Sequence, residues 1–482
     1  MNSKNTSGLS FFRDKCGLFG IVNQKEASNL AYLGLHALQH RGQESAGIAA
    51  ADGKVIRTYK QMGLVQEVFD QGILHKLEGP NAIGHVRYST AGDSSIRNAQ
   101  PIAVEYSRGS IAVCHNGTLT NFDELKSTLQ KQGSIFESGS DTEIFIHLIA
   151  RSSRGKVTDR IIESVGQVEG AYSLLFLTES QMIAVRDPLG IRPLVLGRKR
   201  KAHMISSEST SFDLVGGRLV RDVKPGEVLV FDRKNDWAPR SIFPFDRKPR
   251  HLCIFELIYF ARPDSIIEGL GVYNTRKQFG KQLAIEQPAD ADMVIPVPDS
   301  GTPAAIGFAQ QAGIPFEMGF IRSHYVGRTF IEPRQSIRMF GVKLKLGSVR
   351  NLIRGKRIVV VDDSIVRGTT SHKIVKMLRA AGARKVHVRI SSPPTRYSCH
   401  YGIDTPTRRE LIASFKAISQ IENYLTADSL GYLSLEGCMK AVGSGEGFCH
   451  ACFSGDYPVP IKPHPKVRQA KLIIGNDVIN GM

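Results

Sequence analysis

The chain has 482 residues, a formal net charge of +18 and seven cysteines, so it is too long for a single hydrophobic core and predicts several domains. Its basic residues are dispersed and lack interleaved aromatic side chains, which disfavours nucleic acid as a partner. Its apolar runs are too short for a membrane span or a secretory signal, and its few, irregularly spaced cysteines disfavour a disulfide framework. We therefore expect a cytoplasmic protein whose cysteines serve metal binding or catalysis.

The first fifteen residues are polar and without period, and we interpret residues 1–15 as a leader. The next segment, CGLFGIV from Cys16 to Val22, predicts a strand. A cysteine at the start of such a strand is, by itself, more typical of a small buried residue than of a nucleophile. Its interpretation depends on four later motifs, which are QHRGQES (39–45), HVRYST (85–90), HNG (115–117) and SDTE (140–143).

Together with Cys16, these motifs resemble the class II, N-terminal-nucleophile glutamine amidotransferases. The resemblance implies an α+β, αββα sandwich in which Cys16 is the nucleophile. It also implies that Arg87 holds the glutamine carboxylate and Asp141 the ammonium group, with Arg41 and Thr90 bracing the pocket. The side-chain amide of Asn116 and the N–H of Gly117 would form an oxyanion hole.

The family mechanism requires that Cys16 become the first residue. Its own α-amine then acts as the base, and such an amine titrates at about 7.7–8.0, near working pH. The sequence therefore predicts that residues 1–15 are a propeptide.

Between residues 150 and 250 the pattern favours strands, near Tyr172–Leu177, Met182–Arg186 and Val228–Phe231. Residues 236–250 are rich in Pro and Arg without any period, which is typical of a boundary. We place the glutaminase domain at 16–250.

Two apolar strands in the second half run into small-residue loops, VIPVPDSGTPAA (294–305) and RIVVVDDSIVRGTT (357–370). An unbroken apolar run suits a strand covered on both faces, and residues 372–379 have helical spacing. Ligands bind at such strand ends in open α/β sheets, where N–H groups and a helix dipole can hold phosphate. A strand end resembling a Walker B motif, or an ordinary acidic loop, is the alternative for 357–370, although no P-loop motif accompanies it.

The loop at 357–370 resembles the phosphoribosyl pyrophosphate (PRPP) loop of type I phosphoribosyltransferases. The resemblance implies an α/β domain with a parallel sheet, pyrophosphate at the first loop, and one Mg²⁺ per subunit at Ser300, Asp362 and Asp363. The cationic stretch from Arg322 to Lys345 is interpreted as a lid, with a plain surface loop as the alternative. The implied PRPP-binding residues are Asp299, Ser300, Gly301, Thr302, Asp362, Asp363, Ser364, Arg367, Gly368, Thr369 and Thr370.

The pair Cys449 and Cys452 forms a C-x-x-C turn that alone is compatible with zinc, iron–sulfur or redox chemistry. Together with Cys253 and Cys399, this pair resembles the four cysteine positions used by the iron–sulfur-containing branch of the glutamine PRPP amidotransferases. That resemblance implies a structural [4Fe-4S] cluster, with zinc as the alternative.

Apart from its two ends, the chain resembles the propeptide- and iron–sulfur-containing glutamine PRPP amidotransferases. This implies that ammonia released from glutamine is added to PRPP, giving 5-phosphoribosylamine, glutamate and pyrophosphate in the first committed step of purine biosynthesis. It also implies a homo-oligomer, with a tetramer favoured, that purine nucleotides inhibit. We expect a phosphoribosyltransferase domain at 251–460, whose C-terminal part binds the cluster, and a basic tail at 461–482.

Two other functions fit part of the pattern. Glutamine-dependent sugar-phosphate amination shares the first half, but its isomerase domain would lack the loop with Asp362 and Asp363. A purine-sensing regulator could keep a phosphoribosyltransferase fold, but it would not need the Cys16 motifs.

Overall fold

The computed structural model describes residues 16–88, 94–323, 346–405, 407–443 and 446–461. Within these ranges, the first half forms antiparallel sheets of seven and six strands. None of the described helices is long and apolar enough to cross a membrane. The strands of this half are β1 (Gly17–Val22), β2 (Ser45–Ala51), β3 (Ile56–Met62), β4 (Asn81–Arg87), β5 (Ile102–Tyr106), β6 (Gly109–Leu119), β7 (Gly170–Thr178), β8 (Gln181–Arg186), β9 (Val195–Lys199), β10 (Ala202–Ser206), β11 (Arg218–Asp222), β12 (Val228–Asp232) and β13 (Arg240–Ile242).

The two sheets have the orders β11-β9-β10-β1-β4-β2-β3 and β13-β12-β8-β7-β6-β5. The three strands predicted between residues 150 and 250 are present as β7, β8 and β12. The helices of this half are α1 (Ala27–Ala37), α2 (Val65–Val68), α3 (Gln71–Lys76), α4 (Phe122–Lys131), α5 (Glu143–Arg151), α6 (Val157–Val165) and α7 (Thr210–Leu214), with 3-10 turns at Gln39–Arg41, Ile96–Asn98 and Arg233–Asn235.

Strand β1 shows why the two sheets stack between helices. Alternate side chains of a strand point to opposite faces of its sheet. Phe19 and Ile21 join the core that α1 covers, whereas Leu18 and Val22 join the layer between the two sheets. Because both faces of β1 are apolar, the sequence requires cover on both, and the αββα sandwich is confirmed.

The second half contains a parallel sheet of order β17-β20-β21-β22 in its described part. The strands are β14 (Leu252–Cys253), β15 (Ile266–Ile267), β16 (Leu270–Gly271), β17 (Met293–Pro296), β18 (Phe320–Arg322), β19 (Leu346–Ser348), β20 (Arg357–Asp362), β21 (Lys385–Ile390), β22 (Ser429–Tyr432) and β23 (Phe448–Cys449). The helices are α8 (Val272–Glu286), α9 (Thr302–Ala312), α10 (Arg350–Ile353), α11 (Thr369–Ala380), α12 (Ile418–Leu425), α13 (Leu435–Ala441) and α14 (Ala451–Ser454), with a π-helical turn at Glu256–Phe260 and 3-10 turns at Arg408–Glu410 and Ile412–Ser414.

Strand β20 is buried on both faces, as its unbroken apolar run predicts. Val359 and Val361 pack toward α8 and α9, and Ile358 and Val360 pack toward α11. The prediction of a covered parallel strand that leads through a loop into a helix is confirmed.

The two halves share an apolar junction. Ala171, Leu189 and Ile191 of the first half belong to the same buried cluster as the helices and strands of the second. The predicted lid lies mainly at 324–345, outside the described residues. The described strands on either side of it, β18 and β19, pair with each other, and Arg322 lies opposite Leu346.

Candidate active site

Cys16 lies at the entrance of β1, beside the end of β4. The antiparallel register pairs Gly17 with Val86 and Leu18 with His85, so Cys16 comes level with Arg87 of the HVRYST motif. Its Sγ lies 3.8 Å from the carbonyl oxygen of Tyr88 and is partly exposed. The thiol therefore lies at the start of a strand, where a small molecule can reach it.

The HNG motif lies at the end of β6, in the sheet that faces β1. Asn116 is fully buried, and neither its Nδ2 nor its Oδ1 has a hydrogen-bond partner in the described part of the chain. A buried, unpartnered amide is costly, so it indicates a site that a ligand completes. Gly117 adopts φ +150°, a conformation that favours glycine.

His85 links β4 to this motif. Its Nε2 lies 3.1 Å from the carbonyl oxygen of His115, and a carbonyl only accepts, so the proton is on Nε2. Burial lowers the pKa of His85 to about 3, which keeps the ring neutral. His85, the first residue of the HVRYST motif, therefore orients the backbone next to Asn116.

Asp141 and Arg87 place opposite charges at the same end of the sandwich. Asp141 accepts from the N–H of Leu119 at 3.0 Å and lies 3.4 Å from Nδ1 of His115. Burial alone would raise the pKa of Asp141, but His115, the Leu119 N–H and Arg87 outweigh burial and lower it, so Asp141 is ionised. Arg87 is buried, with Nη1 3.7 Å from Oε2 of Glu44.

The other two predicted glutamine-pocket residues are placed differently. Thr90 lies outside the described residues. The guanidinium of Arg41 is paired with Glu208 and Glu256, with Nη2 2.5 Å from Oε2 of Glu256. A Cβ added at Gly17 would lie 3.5 Å from the Cβ of Arg41, so Arg41 lies directly behind the start of β1. Its bracing role stays a prediction.

A buried ion network surrounds Arg41, and sequence reasoning missed it. Glu256 in the second half also binds Arg192 of the first half, and all four side chains are 0–1% exposed. Glu208 in turn accepts from the N–H of Arg262 at 2.9 Å and from Ser265 Oγ at 2.6 Å. A single carboxylate inside the apolar run CIFELIYF was the available signal, since a buried charge requires a partner.

In the second half, two loops meet where β17 and β20 end. The N–H of Val297 donates to the carbonyl of Val361 at 2.8 Å. A Cβ added at Gly301 would lie 2.6 Å from that same carbonyl oxygen. The loop with Asp299 to Thr302 is thus packed backbone to backbone against the strand that carries Asp362.

The predicted acidic pair, Asp362 and Asp363, is buried at the end of β20. Burial, and then the neighbouring carboxylate of Asp363, raise the pKa of Asp362 well above its ordinary value. Burial also raises the pKa of Asp363, although Ser300, Ser364 and Arg276 oppose that rise. The Oδ2 of Asp363 has no hydrogen-bond partner among the described residues. This oxygen-rich pair is suited to a hard cation or to ribose hydroxyls.

The loop that follows caps α11. Gly368 adopts φ +75° immediately before the helix, and the Oγ1 of Thr370 is buried with no hydrogen-bond partner in the described chain. Asp362, Ser364, Gly368 and Thr370 line one small concavity.

Two predicted PRPP-binding residues are engaged elsewhere in the loop region. Arg367 Nη2 lies 2.7 Å from Oε1 of Glu410, and Asp299 is paired with Arg322. Both pairs are on the surface, where an ion pair is weak and readily exchanged for a ligand contact.

The four predicted cluster cysteines converge. Cys253 and Cys449 are directly paired between β14 and β23. Burial, and then the proximity of Cys253, Cys399 and Cys449, raise the pKa of Cys452. Among the described residues, no group of three or more His, Cys, Asp or Glu side chains is arranged to hold a single metal ion. Cys114 and Cys438 are buried separately.

Comparison with known proteins agrees with this geometry. A glutamine amidotransferase domain model matches residues 85–213 and a phosphoribosyl transferase domain model matches 281–392. Amidophosphoribosyltransferase 2, chloroplastic, of Arabidopsis thaliana is 51% identical over 98% of this chain and 84% of its own length. The amidophosphoribosyltransferase of Bacillus subtilis is 48% identical over 95% of this chain and 98% of its own.

The chain belongs to the amidophosphoribosyltransferase family. The structure of the B. subtilis glutamine PRPP amidotransferase complexed with ADP and GMP superposes with a TM-score of 0.88 at 48% identity, covering 93% of this chain and 98% of that one. As an amidophosphoribosyltransferase, the chain is the glutamine-dependent enzyme of the first committed step of purine biosynthesis, which transfers ammonia to PRPP. Sugar-phosphate amination and a purely regulatory function are set aside because the match includes both halves.

The buried network predicts how this amidophosphoribosyltransferase responds to acid. Burial would raise the pKa of Glu208, but Arg41 and His40 outweigh burial and lower it well below its ordinary value. Glu208→Gln leaves buried Arg41 without one of its carboxylates, and we expect a loss of about 3–5 kcal/mol of unfolding free energy at pH 7. Urea unfolding measures this loss.

Because the folded pKa of Glu208 is depressed, wild type loses this stabilisation only as pH falls below about 4.5. The difference between wild type and variant should therefore persist from pH 7 to pH 5 and shrink at lower pH. Asp52→Asn, which breaks a surface pair with Arg57, is the control and should cost at most about 1 kcal/mol. An equal cost for both variants contradicts the assignment.

Proposed function

We propose that residues 16–250 carry the glutaminase and residues 251–460 the phosphoribosyltransferase, with residues 1–15 removed as a propeptide and 461–482 a tail without catalytic role. One observation carries the glutaminase assignment: the amide of Asn116 is buried, without a partner in the described chain, on a strand close to the nucleophile. Cys114, two residues before it, is near enough to Cys16 for their charges to interact.

In this proposal Arg87 and Asp141 bind the carboxylate and the ammonium group of free glutamine. The α-amine of Cys16 takes the thiol proton as sulfur attacks the side-chain carbonyl, and it then passes that proton to the departing ammonia. The Asn116 amide and the Gly117 N–H stabilise the oxyanion. Water completes the cycle by releasing glutamate from sulfur.

At the second site, the N–H groups of the loop before α11 and the hydroxyls of Thr369 and Thr370 bind the 5-phosphate, and the loop from Asp299 to Thr302 receives pyrophosphate. Asp362 and Asp363 bind ribose hydroxyls and, with Ser300, are the residues that would hold Mg²⁺. When bound, Mg²⁺ neutralises the pyrophosphate leaving group through oxygen contacts. Burial raises the pKa of both carboxyls, and Oδ2 of Asp363 has no hydrogen-bond partner among the described residues, which suits a site that would take a hard cation.

We further propose a structural [4Fe-4S] cluster at Cys253, Cys399, Cys449 and Cys452, which places the chain in the propeptide- and cluster-containing branch. The four thiols are close enough for mutual electrostatic interaction but are not arranged to hold one ion. Four cysteine thiolates are the ligand set of a [4Fe-4S] cluster, and zinc is the alternative. The cluster would join β14, the 396–405 loop and β23 in one unit.

The proposed regulation and oligomeric state of this chain follow from its similarity to the relatives. The B. subtilis structure holds ADP and GMP. A further similar structure, with a TM-score of 0.89, is that of the allosteric regulatory enzyme of purine biosynthesis. We propose inhibition by purine nucleotides and a homotetramer here. The bacterial relatives favour a cytoplasmic location, although the plant relatives are named as chloroplastic.

The nucleophile assignment predicts a selective loss. Cys16→Ala should abolish synthesis of phosphoribosylamine from glutamine but preserve synthesis from ammonia, because the second site is untouched. Cys114→Ala, which alters a buried cysteine of β6, should keep both activities. N-terminal sequencing of active enzyme should begin at Cys16, and full activity with residues 1–15 attached would contradict the mechanism.

The PRPP loop is tested by Asp362→Asn combined with Asp363→Asn. Both glutamine- and ammonia-dependent synthesis should fall at least about 100-fold, because transition-state positioning is lost, while slow glutamine hydrolysis persists. Asp290→Asn, at an exposed carboxylate paired with Arg357, is the control and should keep full activity. Loss of glutamine hydrolysis as well would show that the acidic pair is structural.

The cluster assignment predicts iron and acid-labile sulfide in equal amounts in anaerobically purified protein. Serine at any of Cys253, Cys399, Cys449 or Cys452 should lower both, whereas Cys438→Ala should lower neither. Zinc without sulfide would reject the cluster.

A further inference from the structure

The proposed oxyanion strand is touched by a loop from the other half of the chain. Gly402 is buried with φ +98°, and a Cβ added there would lie 2.8 Å from the carbonyl carbon of Gly117 and 3.0 Å from its Cα and oxygen. Real Cβ atoms do not approach backbone so closely, so only glycine permits this contact. The backbones of Gly402 and Gly117 thus pack directly together.

Gly117 is confined on its other side as well. A Cβ added at Gly117 would lie 1.9 Å from the carbonyl oxygen of Ala171 in β7, the neighbouring strand. Gly117 is therefore held between β7 and Gly402, and it cannot yield toward one without displacing the other. Both contacts restrict the backbone of Gly117, whose N–H belongs to the proposed oxyanion hole.

The loop that carries Gly402 is itself anchored to the second half. The hydroxyl of Tyr401 donates to the carbonyl of Val459 at 2.7 Å and accepts from the Val459 N–H at 3.0 Å. The N–H of Cys399 donates to Thr405 Oγ1 at 2.8 Å, which closes the loop on itself. The contact with Gly117 is therefore made by a braced segment.

We propose that Gly402 is a positioning residue of the glutaminase half-reaction: its bare backbone sets the orientation of Gly117, so the oxyanion hole is complete only when this loop of the phosphoribosyltransferase half is in place. The inference rests on the proposed oxyanion role of Asn116 and Gly117. It assigns one wall of the glutaminase site to the phosphoribosyltransferase half.

The test is Gly402→Ala in the full-length enzyme. We expect kcat for PRPP-stimulated glutamine hydrolysis to fall about 10- to 100-fold, the range expected when one oxyanion donor is misplaced, with little change in KM for glutamine. Ammonia-dependent synthesis and the rate at which iodoacetamide alkylates Cys16 should be unchanged, because neither uses the oxyanion hole.

Gly443→Ala is the matched control. Gly443 also has a positive φ, +79°, but nothing lies within 4 Å of a Cβ added there, so it shares the backbone strain without the contact. It should leave kcat for glutamine unchanged. An equal fall of kcat in Gly402→Ala and Gly443→Ala overturns the inference. It is also overturned if Gly402→Ala loses glutamine- and ammonia-dependent activity in parallel while Tyr401→Phe keeps both.

If Gly402→Ala does not fold, Tyr401→Phe decides. Removing the hydroxyl releases the loop from Val459, so a selective fall in glutamine kcat supports the inference and unchanged kcat overturns it. Asn116→Ala, measured alongside, separates this inference from the proposed function. If Asn116→Ala retains glutaminase activity, the oxyanion assignment itself is wrong; if only Gly402→Ala and Tyr401→Phe retain it, only the positioning role is wrong.

Discussion

Two carboxylates without access to water, Glu208 and Glu256, hold the two halves of the chain in one arrangement. Glu256 belongs to the second half and binds Arg41 and Arg192 of the first, whereas Glu208 belongs to the first and accepts from Arg262 and Ser265 of the second. Charges removed from water are tolerated only with close partners, so separation of the halves would expose an unpaired charge on each side. The junction is therefore specific as well as apolar.

This junction reaches toward both proposed sites. Arg41 lies behind the start of β1, next to Cys16. Arg276 on α8 is buried, donates to the carbonyls of Leu257 and Ala261, and interacts electrostatically with Glu208, Glu256 and Asp363. Burial lowers the pKa of Arg276 to about 10, which still leaves it charged at neutral pH. A chain of buried charges thus runs from the nucleophile strand to the acidic loop.

Two buried residues near the proposed glutamine site, His85 and Asp141, have different charge states because their hydrogen-bond and charge partners differ. His85 is surrounded by positive charge and a single carbonyl, so burial makes it neutral. Asp141 has His115, Arg87 and a backbone N–H, so it stays ionised despite equal burial. A neutral ring that orients backbone and an ionised carboxylate that can bind an ammonium group are thereby placed side by side.

Much of this was accessible from the printed residues, because the features concerned are local. The apolar alternation of β1, the unbroken run of β20, and the loops that follow β17 and β20 each specify their structure within a dozen residues. The resemblance carried by Cys16, the four motifs and the loop at 357–370 predicted the amidophosphoribosyltransferase family, which the comparisons confirm. The roles of individual site residues stay predictions.

What the sequence determined by itself was which segments form strands such as β1 and β20 and which polar groups stand at strand ends, since strand period and turn chemistry are properties of neighbours in the chain. Only the tertiary structure decided that Arg41 faces Glu208 and Glu256 and that Gly402 packs on Gly117. Those outcomes depend on the close approach of segments that are up to 285 residues apart (402 − 117), and no local pattern encodes which backbones will touch.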